Sequence, residues 1–220
     1  MDKIVFKITE DGSHTLYLKD LDETYHSKHG AIQEAMHVFI DAGLNNCIQS
    51  KLNILEIGFG TGLNAFLTLK ESKNRTVNFT SLEAYPLPQE IVAQLNYTSE
   101  LKLNSVGIEQ FKKMHLVEWG NYQEITPNFK LNKIKVQLDQ YKSIEKFDLI
   151  YFDAFGPRVQ PEMWGKEIFE NMYDVLSENG VLVTYCAKGS VKRTLKEVGF
   201  RVEPLPGPPG KREMTRAKKL

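Results

Sequence analysis

The stretch 52–64 constrains the fold more than any other part of this 220-residue chain. Apolar residues fill most of 52–57, glycine then stands at positions 58, 60 and 62, and a helix-like segment follows. Glycine permits backbone angles and a close ligand approach that a side chain would block, and the start of a helix offers unpaired N–H groups. A strand, a glycine loop and a helix in this order predict a nucleotide or nucleoside pocket in an α/β sheet.

The glycine spacing and one acid narrow the ligand. A dinucleotide-binding fingerprint would place its third glycine at position 63, where this chain has leucine, and the glycine stands at 62 instead. Glu56 lies just before the turn and suits a positively charged or hydroxyl-rich ligand better than a pyrophosphate. Glu56, Gly58, Gly60, Gly62 and Asn64 therefore predict a site for S-adenosylmethionine.

Strand-like and helix-like segments alternate along most of the chain. The expected strands are 52–57, 77–83, 133–138, 147–153, 180–186 and 211–217, and the expected helices are 34–40, 63–71, 87–96, 161–176 and 190–198. This alternation predicts a parallel sheet with ligands at the carboxyl ends of its strands. The expected fold class is α/β, and with the predicted S-adenosylmethionine site it is the Rossmann-like fold of class I methyltransferases.

An Asp-Gly turn between the β-prone runs 4–8 and 15–18 predicts a hairpin at the N-terminus. We divide the chain into an N-terminal β extension at 1–30 and a single methyltransferase domain at 31–220. The stretch 98–130 interrupts the alternation and is interpreted as an insertion in that domain.

The formal net charge is zero, but residues 188–220 carry ten Lys or Arg against three Glu, a net charge of +7. This basic end could guide RNA to one face, and a solvated tail explains it equally well. No apolar run approaches the roughly 20 residues of a membrane span. Cys47 and Cys186 form no disulfide framework or metal motif. We expect a cytoplasmic protein with reduced thiols, no metal and no membrane.

Three acids follow predicted strands and are candidates for ligand contacts. Glu83 lies about 25 residues after the first glycine, the approximate spacing of a carboxylate that binds ribose hydroxyls. Asp139 could accept the adenine amino group, and Asp153 ends an apolar strand beside Phe155 and Pro157. A surface acid at a strand end is the alternative for Glu83, and a helix cap or an ion pair is the alternative for Asp153.

Asp153 is suited to methyl transfer to an amine. The reaction is an in-line displacement, so the enzyme mainly holds a lone pair roughly 3 Å from the methyl carbon and excludes water. The acceptor amine must be neutral to attack. Asp153 can accept an N–H hydrogen bond and orient the lone pair, and partial burial of the amine favours its deprotonation.

Three motifs, 55–64, 153–157 with 161–164, and 210–214, occur in an order that resembles the tRNA 5-methylaminomethyl-2-thiouridine methyltransferase family. The resemblance extends from about residue 25 to 214. In that family the domain is fused to a flavin oxidase, as in MnmC, or stands alone, and this chain looks like the stand-alone form. The resemblance implies an enzyme that uses S-adenosylmethionine to methylate the amine of 5-aminomethyluridine, often 2-thiolated, at the tRNA wobble position.

The resemblance also implies roles for particular residues. It places the family's glycine loop on 58–62, its ribose acid on Glu83 and its substrate-side acid on Asp153. Ser27 matches an early cofactor segment, in which Gln33 replaces the expected glutamate. Gly156 departs slightly from the alanine or serine that is commoner there.

The substrate-binding residues complete this set of predictions. Phe155, Pro157 and Trp164 would hold a flipped uracil, although core packing explains Trp164 equally well. Lys211 and Arg212 are the expected phosphate contacts. The expected partners are the tRNA anticodon region and, upstream, other enzymes that modify the wobble uridine. Tyr185 is more typical of a core residue than of a catalytic one.

Two other functions remain open from the residues alone. One is a methyltransferase or aminopropyltransferase for a small amine, which would need no basic end. The other is a nucleoside-binding module that has lost catalysis. The presence of Glu56, Glu83 and Asp153 argues against the second.

Overall fold

The computed structural model describes residues 4–220. The strands are β1 Ile4–Ile8, β2 His14–Leu18, β3 Glu23–Thr24, β4 Lys51–Ile57, β5 Thr76–Glu83, β6 Gln123–Thr126, β7 Phe129–Lys135, β8 Phe147–Phe152, β9 Leu176–Thr184, β10 Arg201–Pro206 and β11 Glu213–Lys218. The α-helices are α1 Ala31–Ala35, α2 Leu63–Glu71, α3 Gln89–Val92, α4 Tyr97–Glu100, α5 Ser105–Leu116, α6 Lys166–Val175 and α7 Gly189–Val198. A π-helix at Met36–Asp41 continues α1, and 3₁₀ turns lie at Leu44–Asn46, Leu138–Gln140 and Pro161–Trp164.

Eight strands form the central sheet in the order β10-β11-β9-β8-β4-β5-β7-β6. The expected parallel sheet is confirmed for the five strands from β9 to β7. Both edges depart from it, since β10, β11 and β6 are antiparallel to their neighbours. The strand expected at 211–217 is β11, which forms an antiparallel hairpin with β10. The proline-rich stretch 204–210 forms the end of β10 and the first part of the hairpin turn.

The order in which the chain adds strands to the sheet reverses between β4 and β8, which are parallel to each other. From β4 the chain runs outward through β5 and β7, and it then returns to β8 on the other side of β4. At such a switch point the loops after the two strands diverge and leave a crevice, which is where α/β sheets bind ligands. Gly58 follows β4 and Asp153 follows β8. The topology therefore brings these two residues to one crevice.

Two apolar clusters cover the two faces of the sheet. One contains buried aromatic residues of the π-helix, α2 and α5, among them Phe39, Phe66 and Phe111. The other contains residues of α6 and α7, among them Phe169 and Leu195. From Ile54 to Ile57 β4 is buried on both faces, and four of its seven residues are apolar, which is typical of a central parallel strand.

Several boundaries differ from the sequence-based expectation. The helix expected at 87–96 is only the single turn of α3, which begins directly after Pro88. The strand expected at 133–138 lies at Phe129–Lys135, so Asp139 falls in the following 3₁₀ turn. The helix expected at 161–176 is divided because Gly165 has an extended backbone.

The stretch 98–130 contributes α5 and β6 to the body of the fold. Phe111 and Met114 of α5 are buried in the same cluster as the glycine-loop helix α2. β6 pairs with β7 at the edge of the central sheet. This stretch therefore packs as part of the domain that contains the glycine loop.

The expected N-terminal hairpin is confirmed as β1 and β2, with β3 added beside β2. Its turn contacts the start of α1, where the Gln33 amide donates to Oδ2 of Asp11 at 3.0 Å and the Ala31 amide donates to Oγ of Ser13 at 3.2 Å. These bonds satisfy N–H groups that the helix itself leaves free. They fix the stretch 25–34 against the crevice.

Within residues 4–220 no helix is long and apolar enough to cross a membrane. Cys47 and Cys186 are both buried and are not bonded to each other. Burial raises the pKa of the Cys47 thiol to about 11, so this thiol stays neutral at physiological pH.

Candidate active site

A cavity of about 1270 Å³ opens at the carboxyl edge of the sheet. Loops after β4, β5 and β8 form one side, and the stretch that follows β3 and the β10–β11 turn close it from above the sheet edge. Its volume exceeds the roughly 300–1,000 Å³ typical of a pocket for one small molecule. The cavity can therefore accommodate a nucleoside-sized cofactor together with part of a second ligand.

Two of the three loop glycines line this cavity. Gly58 has φ +93°, and a Cβ atom there would lie 3.0 Å from the Asp153 carbonyl oxygen. Gly60 has φ +49°, and its Cβ would lie 3.2 Å from the Tyr25 ring. A side chain at either position would be strained and would fill the space between the loop and its neighbours. The expectation of a cradle for a close ligand thus fits Gly58 and Gly60.

Gly62 serves a different purpose. It has φ +70°, precedes α2, and a Cβ there would lie 2.8 Å from Nε2 of His115. It is not among the residues that line the cavity, although its neighbours Thr61 and Leu63 are, and its cofactor contact stays a prediction. The glycine is needed because α5 packs against the start of α2.

Glu83 presents a fixed carboxylate to the cavity. Its Oε2 accepts a hydrogen bond from the Gly60 amide at 2.9 Å, and its Oε1 accepts one from the Tyr85 amide at 2.9 Å. Each carboxylate oxygen can accept a second hydrogen bond. This geometry suits the adjacent hydroxyl groups of a ribose.

Ser27 and Asp139 lie at other parts of the cavity lining. Asp139 is exposed at the rim, in the 3₁₀ turn, and is not at a strand end as expected. The Oγ of Ser27 accepts a hydrogen bond from the His29 amide at 3.1 Å. Both positions are compatible with the predicted cofactor contacts.

Glu56 does not reach the cavity. Its side chain is completely buried, and Oε2 accepts a hydrogen bond from Oγ of Ser81 at 2.5 Å. Burial raises the pKa of Glu56 well above its usual range, with further increases from the Asp153 and Glu83 carboxylates. The expected direct contact between Glu56 and the cofactor is therefore wrong.

Asp153 opens into the cavity beside Asn64. The Asn64 amide Nδ2 donates to Oδ2 of Asp153 at 2.8 Å, and both residues line the cavity. Burial raises the pKa of Asp153 to about 8, while the Asn64 hydrogen bond opposes that shift. Among charged neighbours, Glu34 raises this pKa and Lys211 lowers it.

Glu34 and Lys211 form an ion pair in the cavity wall that the sequence analysis missed. Lys211 Nζ lies 2.6 Å from Oε1 of Glu34, and the Ser27 amide donates to Oε2 of Glu34 at 2.8 Å. The same ammonium lies 4.0 Å from the centroid of the Tyr185 ring. Lys211 therefore lines the cavity as one partner of an ion pair, and its role as a phosphate contact stays a prediction.

The aromatic residues fall into two groups. Phe155 lines the cavity and packs edge-on against Tyr25, with ring centroids 5.2 Å apart. Trp164 is 4% exposed and belongs to the core cluster under α6, where its Nε1 donates to the Phe155 carbonyl at 2.8 Å. Stacking of Trp164 on a uracil is therefore wrong. Its role is to fix the loop that carries Phe155.

Three other residues differ in how they relate to the cavity. Tyr185 lines it, and its hydroxyl donates to the Ala154 carbonyl at 2.9 Å. Pro157 is partly buried in the turn after Phe155 without lining the cavity. Arg212 is exposed, next to the cavity residue Lys211 and outside the cavity. Because it is exposed, Arg212 is accessible to a phosphate of the RNA.

In the described part of the chain, no group of three or more His, Cys, Asp or Glu residues could hold a metal ion.

Comparison with known proteins gives a family and a fold. Residues 85–220, more than half of the chain, match a family described as S-adenosyl-L-methionine-dependent methyltransferase. The tRNA 5-methylaminomethyl-2-thiouridine biosynthesis bifunctional protein MnmC of Leptospira interrogans is 34% identical over 219 residues, which cover 89% of this chain and 32% of that protein. The protein of the same name from Leptospira borgpetersenii is 31% identical over 220 residues, with 90% and 32% covered.

The chain spans about a third of the length of these curated relatives. Among solved structures, the crystal structure of MNMC2 from Aquifex aeolicus is similar, with a TM-score of 0.80 at 24% identity. That match covers 99% of this chain and 70% of the Aquifex chain. It supports the fold described above across almost the whole chain.

Proposed function

The chain belongs to the S-adenosyl-L-methionine-dependent methyltransferase family, and we propose that it methylates the primary amine of 5-aminomethyl(-2-thio)uridine at the tRNA wobble position. One observation carries the proposal. The carboxyl group of Asp153 faces the same cavity as the glycine loop and Glu83, so an amine and the methyl donor can meet there. The similarity to MnmC proteins over about 90% of the chain supports the tRNA substrate.

The cavity residues fit S-adenosylmethionine. Glu83 offers two oriented acceptors for the ribose hydroxyls, and Gly58 and Gly60 line the cavity with backbone alone, at positive φ. Asp139 at the rim and Ser27 on the opposite segment complete the set of residues that would hold it. When bound, this cosubstrate supplies an electrophilic methyl group on a sulfonium.

Asp153 prepares the acceptor amine. Its carboxylate accepts an N–H hydrogen bond, orients the nitrogen lone pair and takes up a proton as the new N–C bond forms. A general base works best when its pKa lies near the working pH, and the pKa of Asp153 is raised to about 8. Asn64 holds the carboxylate in place through its Nδ2 donor.

The remaining proposed contacts concern the RNA. Phe155 lines the cavity and offers a ring edge or face to a uracil turned out of its stack. Arg212 and the other exposed cations of the C-terminal part would contact phosphates near the anticodon. The substrate amine would be supplied by enzymes that install the aminomethyl group, and the reaction would take place in the cytoplasm.

The experiment that tests this function offers labelled S-adenosylmethionine with two acceptors in parallel. The first is tRNA that carries 5-aminomethyl-2-thiouridine, and the second is a mixture of free polyamines. Transfer of label to the wobble nucleoside supports the proposal. Transfer to polyamines alone would replace it with a small-amine methyltransferase, and detection of an aminopropyl product would indicate an aminopropyltransferase.

A further inference from the structure

Acidic side chains outnumber basic ones in the lining of the cavity. Six Asp or Glu residues line it against three Lys residues, so the lining carries a net charge of −3 when each of these groups is ionised. A cavity lined mainly by one sign of charge attracts ligands of the opposite sign. A cationic ligand is therefore favoured there over a neutral ligand of the same shape.

Asp153 lacks the partners that two other acids of the lining have. Glu34 is paired with Lys211, and the Glu83 carboxylate accepts two backbone N–H groups. The Asp153 carboxyl group is bonded to the uncharged Asn64 amide at 2.8 Å, and among the described residues no Lys or Arg forms an ion pair with it. A cation that binds beside it would supply the charged partner that these residues do not.

The titratable groups that face Asp153 supply no uncompensated positive charge. They come from α1, from β4, from the residue after β9 and from the β10–β11 turn, and they are Glu34, Glu56, Tyr185 and Lys211. Two of them are acids, the tyrosine is neutral, and the Lys211 ammonium is paired with Glu34. Burial raises the pKa of Asp153 to about 8, so without a ligand this group is mostly protonated at neutral pH.

This proton conflicts with the role of a base. A protonated carboxyl group cannot take up a proton from an amine, and a positive charge close by shifts a carboxyl group toward its ionised form. We propose that Asp153 releases its proton to solvent when a cationic sulfonium methyl donor binds in the cavity. The base then forms only in the loaded protein, and the site discriminates the methyl donor from its neutral thioether product. The proposal rests on the proposed function, which supplies the methyl donor and the acceptor amine.

Protons and charges balance over one turnover. When the methyl donor binds, one positive charge enters the cavity and one proton leaves it. The neutral amine then forms an N–C bond to the methyl group, and the C–S bond breaks with its electron pair on sulfur. Asp153 takes the proton that the new secondary ammonium gives up and is neutral again. An uncharged thioether then lies in the same cavity as an uncharged carboxyl group, so the charge that favoured binding is gone.

Calorimetry counts the released protons and needs no tRNA. S-adenosylmethionine and S-adenosylhomocysteine, which lacks the methyl group and the sulfonium charge, are titrated into the whole protein at neutral pH in buffers of different ionisation enthalpy. A group with a pKa of about 8 is mostly protonated there, so we expect release of roughly 0.9 proton with S-adenosylmethionine. We expect almost none with S-adenosylhomocysteine, and almost none with either ligand in Asp153→Asn.

Glu56→Gln is the matched control, because burial also raises the pKa of Glu56 although its side chain does not reach the cavity. This variant should release as many protons as the wild type. Release that persists in Asp153→Asn and disappears in Glu56→Gln would overturn the proposal. Equal release with both ligands, or no release in the wild type, would overturn it as well. The comparison of the two ligands in the wild type decides the matter even if a variant is unstable.

The pH dependence of affinity provides a second measurement. A ligand whose binding releases a proton binds more tightly as pH rises toward the pKa of the group that releases it. From pH 6 to pH 7 the Kd of S-adenosylmethionine relative to that of S-adenosylhomocysteine should fall by about five- to tenfold, and the ratio should stay constant in Asp153→Asn. If the proton result holds and tRNA is not methylated, only the proposed function fails. If tRNA is methylated without proton release, only this inference fails.

Discussion

Lys211 Nζ and Glu34 Oε1 lie 2.6 Å apart in the cavity wall, and their charges act on Asp153 in opposite directions. We predict that Lys211→Met raises the pKa of Asp153, because the negative charge of Glu34 is left without its partner. Glu34→Gln should lower it. The low-pH limb of the rate profile should therefore move to higher pH in the first variant and to lower pH in the second. Lys196→Met, at an exposed position on α7, serves as the control. Shifts in the same direction for both variants would contradict this account.

Asp153→Asn should reduce turnover by about 10²–10⁴-fold, since it removes a proton acceptor. It should also stabilise the fold in a pH-dependent manner. The folded-state pKa is raised to about 8 from a normal value of 3.8, so the wild type loses stability as pH rises between these values. The difference in unfolding free energy between variant and wild type should thus be near zero at low pH and largest above pH 8. A constant difference across this range in urea titrations would contradict the shifted pKa.

Gly60 and Gly120 provide a matched pair of substitutions. Both have positive φ, at +49° and +94°, so alanine costs about 1–2 kcal/mol of backbone strain at each. Only at Gly60 would the new methyl group meet a neighbour, the Tyr25 ring, and disturb the amide that bonds to Glu83. Calorimetry should show weaker S-adenosylmethionine binding for Gly60→Ala and normal binding for Gly120→Ala. Equal binding in both variants would argue against a cradle at Gly60.

Substitutions of Trp164 and of Phe155 should have different effects, the first on the stability of the fold and the second on substrate binding. Trp164→Phe removes a hydrogen bond to the Phe155 carbonyl and some buried volume, so it should destabilise the fold by about 1–3 kcal/mol. Phe155 lines the cavity, so Phe155→Leu should mainly raise KM for tRNA. Thermal unfolding and initial-rate kinetics on both variants check this. A larger KM effect for Trp164→Phe would restore the stacking role that the structure contradicts.

The half-buried His26 at the cavity and the buried His115 should make the fold labile in acid. Burial lowers the pKa of His26 and of His115 to about 4, so the unfolded chain binds protons before the folded one does. Their contribution to stability is complete above about pH 6.5 and is lost as pH falls toward 4. His26→Gln and His115→Gln should each flatten this decline in urea titrations between pH 7 and 4.5. An unchanged slope in both variants would contradict the low pKa values.

The apolar runs of the central strands were sufficient to predict most of the sheet. The buried parallel strand β8 is apolar at all positions but one, and the glycine loop after β4 fixes where the ligand cavity lies. Glu56 was misassigned because its environment depends on register. It lies opposite Ser81 of β5 and Tyr151 of β8, a pairing that its own sequence neighbourhood does not specify.

A contact between distant segments explains why the sequence did not predict the Lys211–Glu34 ion pair. Lys211 and Glu34 are 177 residues apart, and only the β10–β11 hairpin brings them together. One local signal was available, since Glu34 shares the buried helix face of Ala31, Ala35 and Val38. A charge on such a face needs a partner, and that partner could have been sought among the basic residues near the C-terminus.

The proposed reaction is the methylation of 5-aminomethyl(-2-thio)uridine in tRNA, with Asp153 beside the acceptor amine. It is tested most directly by nucleoside mass spectrometry of tRNA from cells that lack the protein, complemented with the wild type or with Asp153→Asn. We predict that the aminomethyl nucleoside accumulates in the deletion strain, that the wild type converts it to the methylaminomethyl form, and that Asp153→Asn does not. Identical wobble nucleosides in the deletion and wild-type strains would contradict the account.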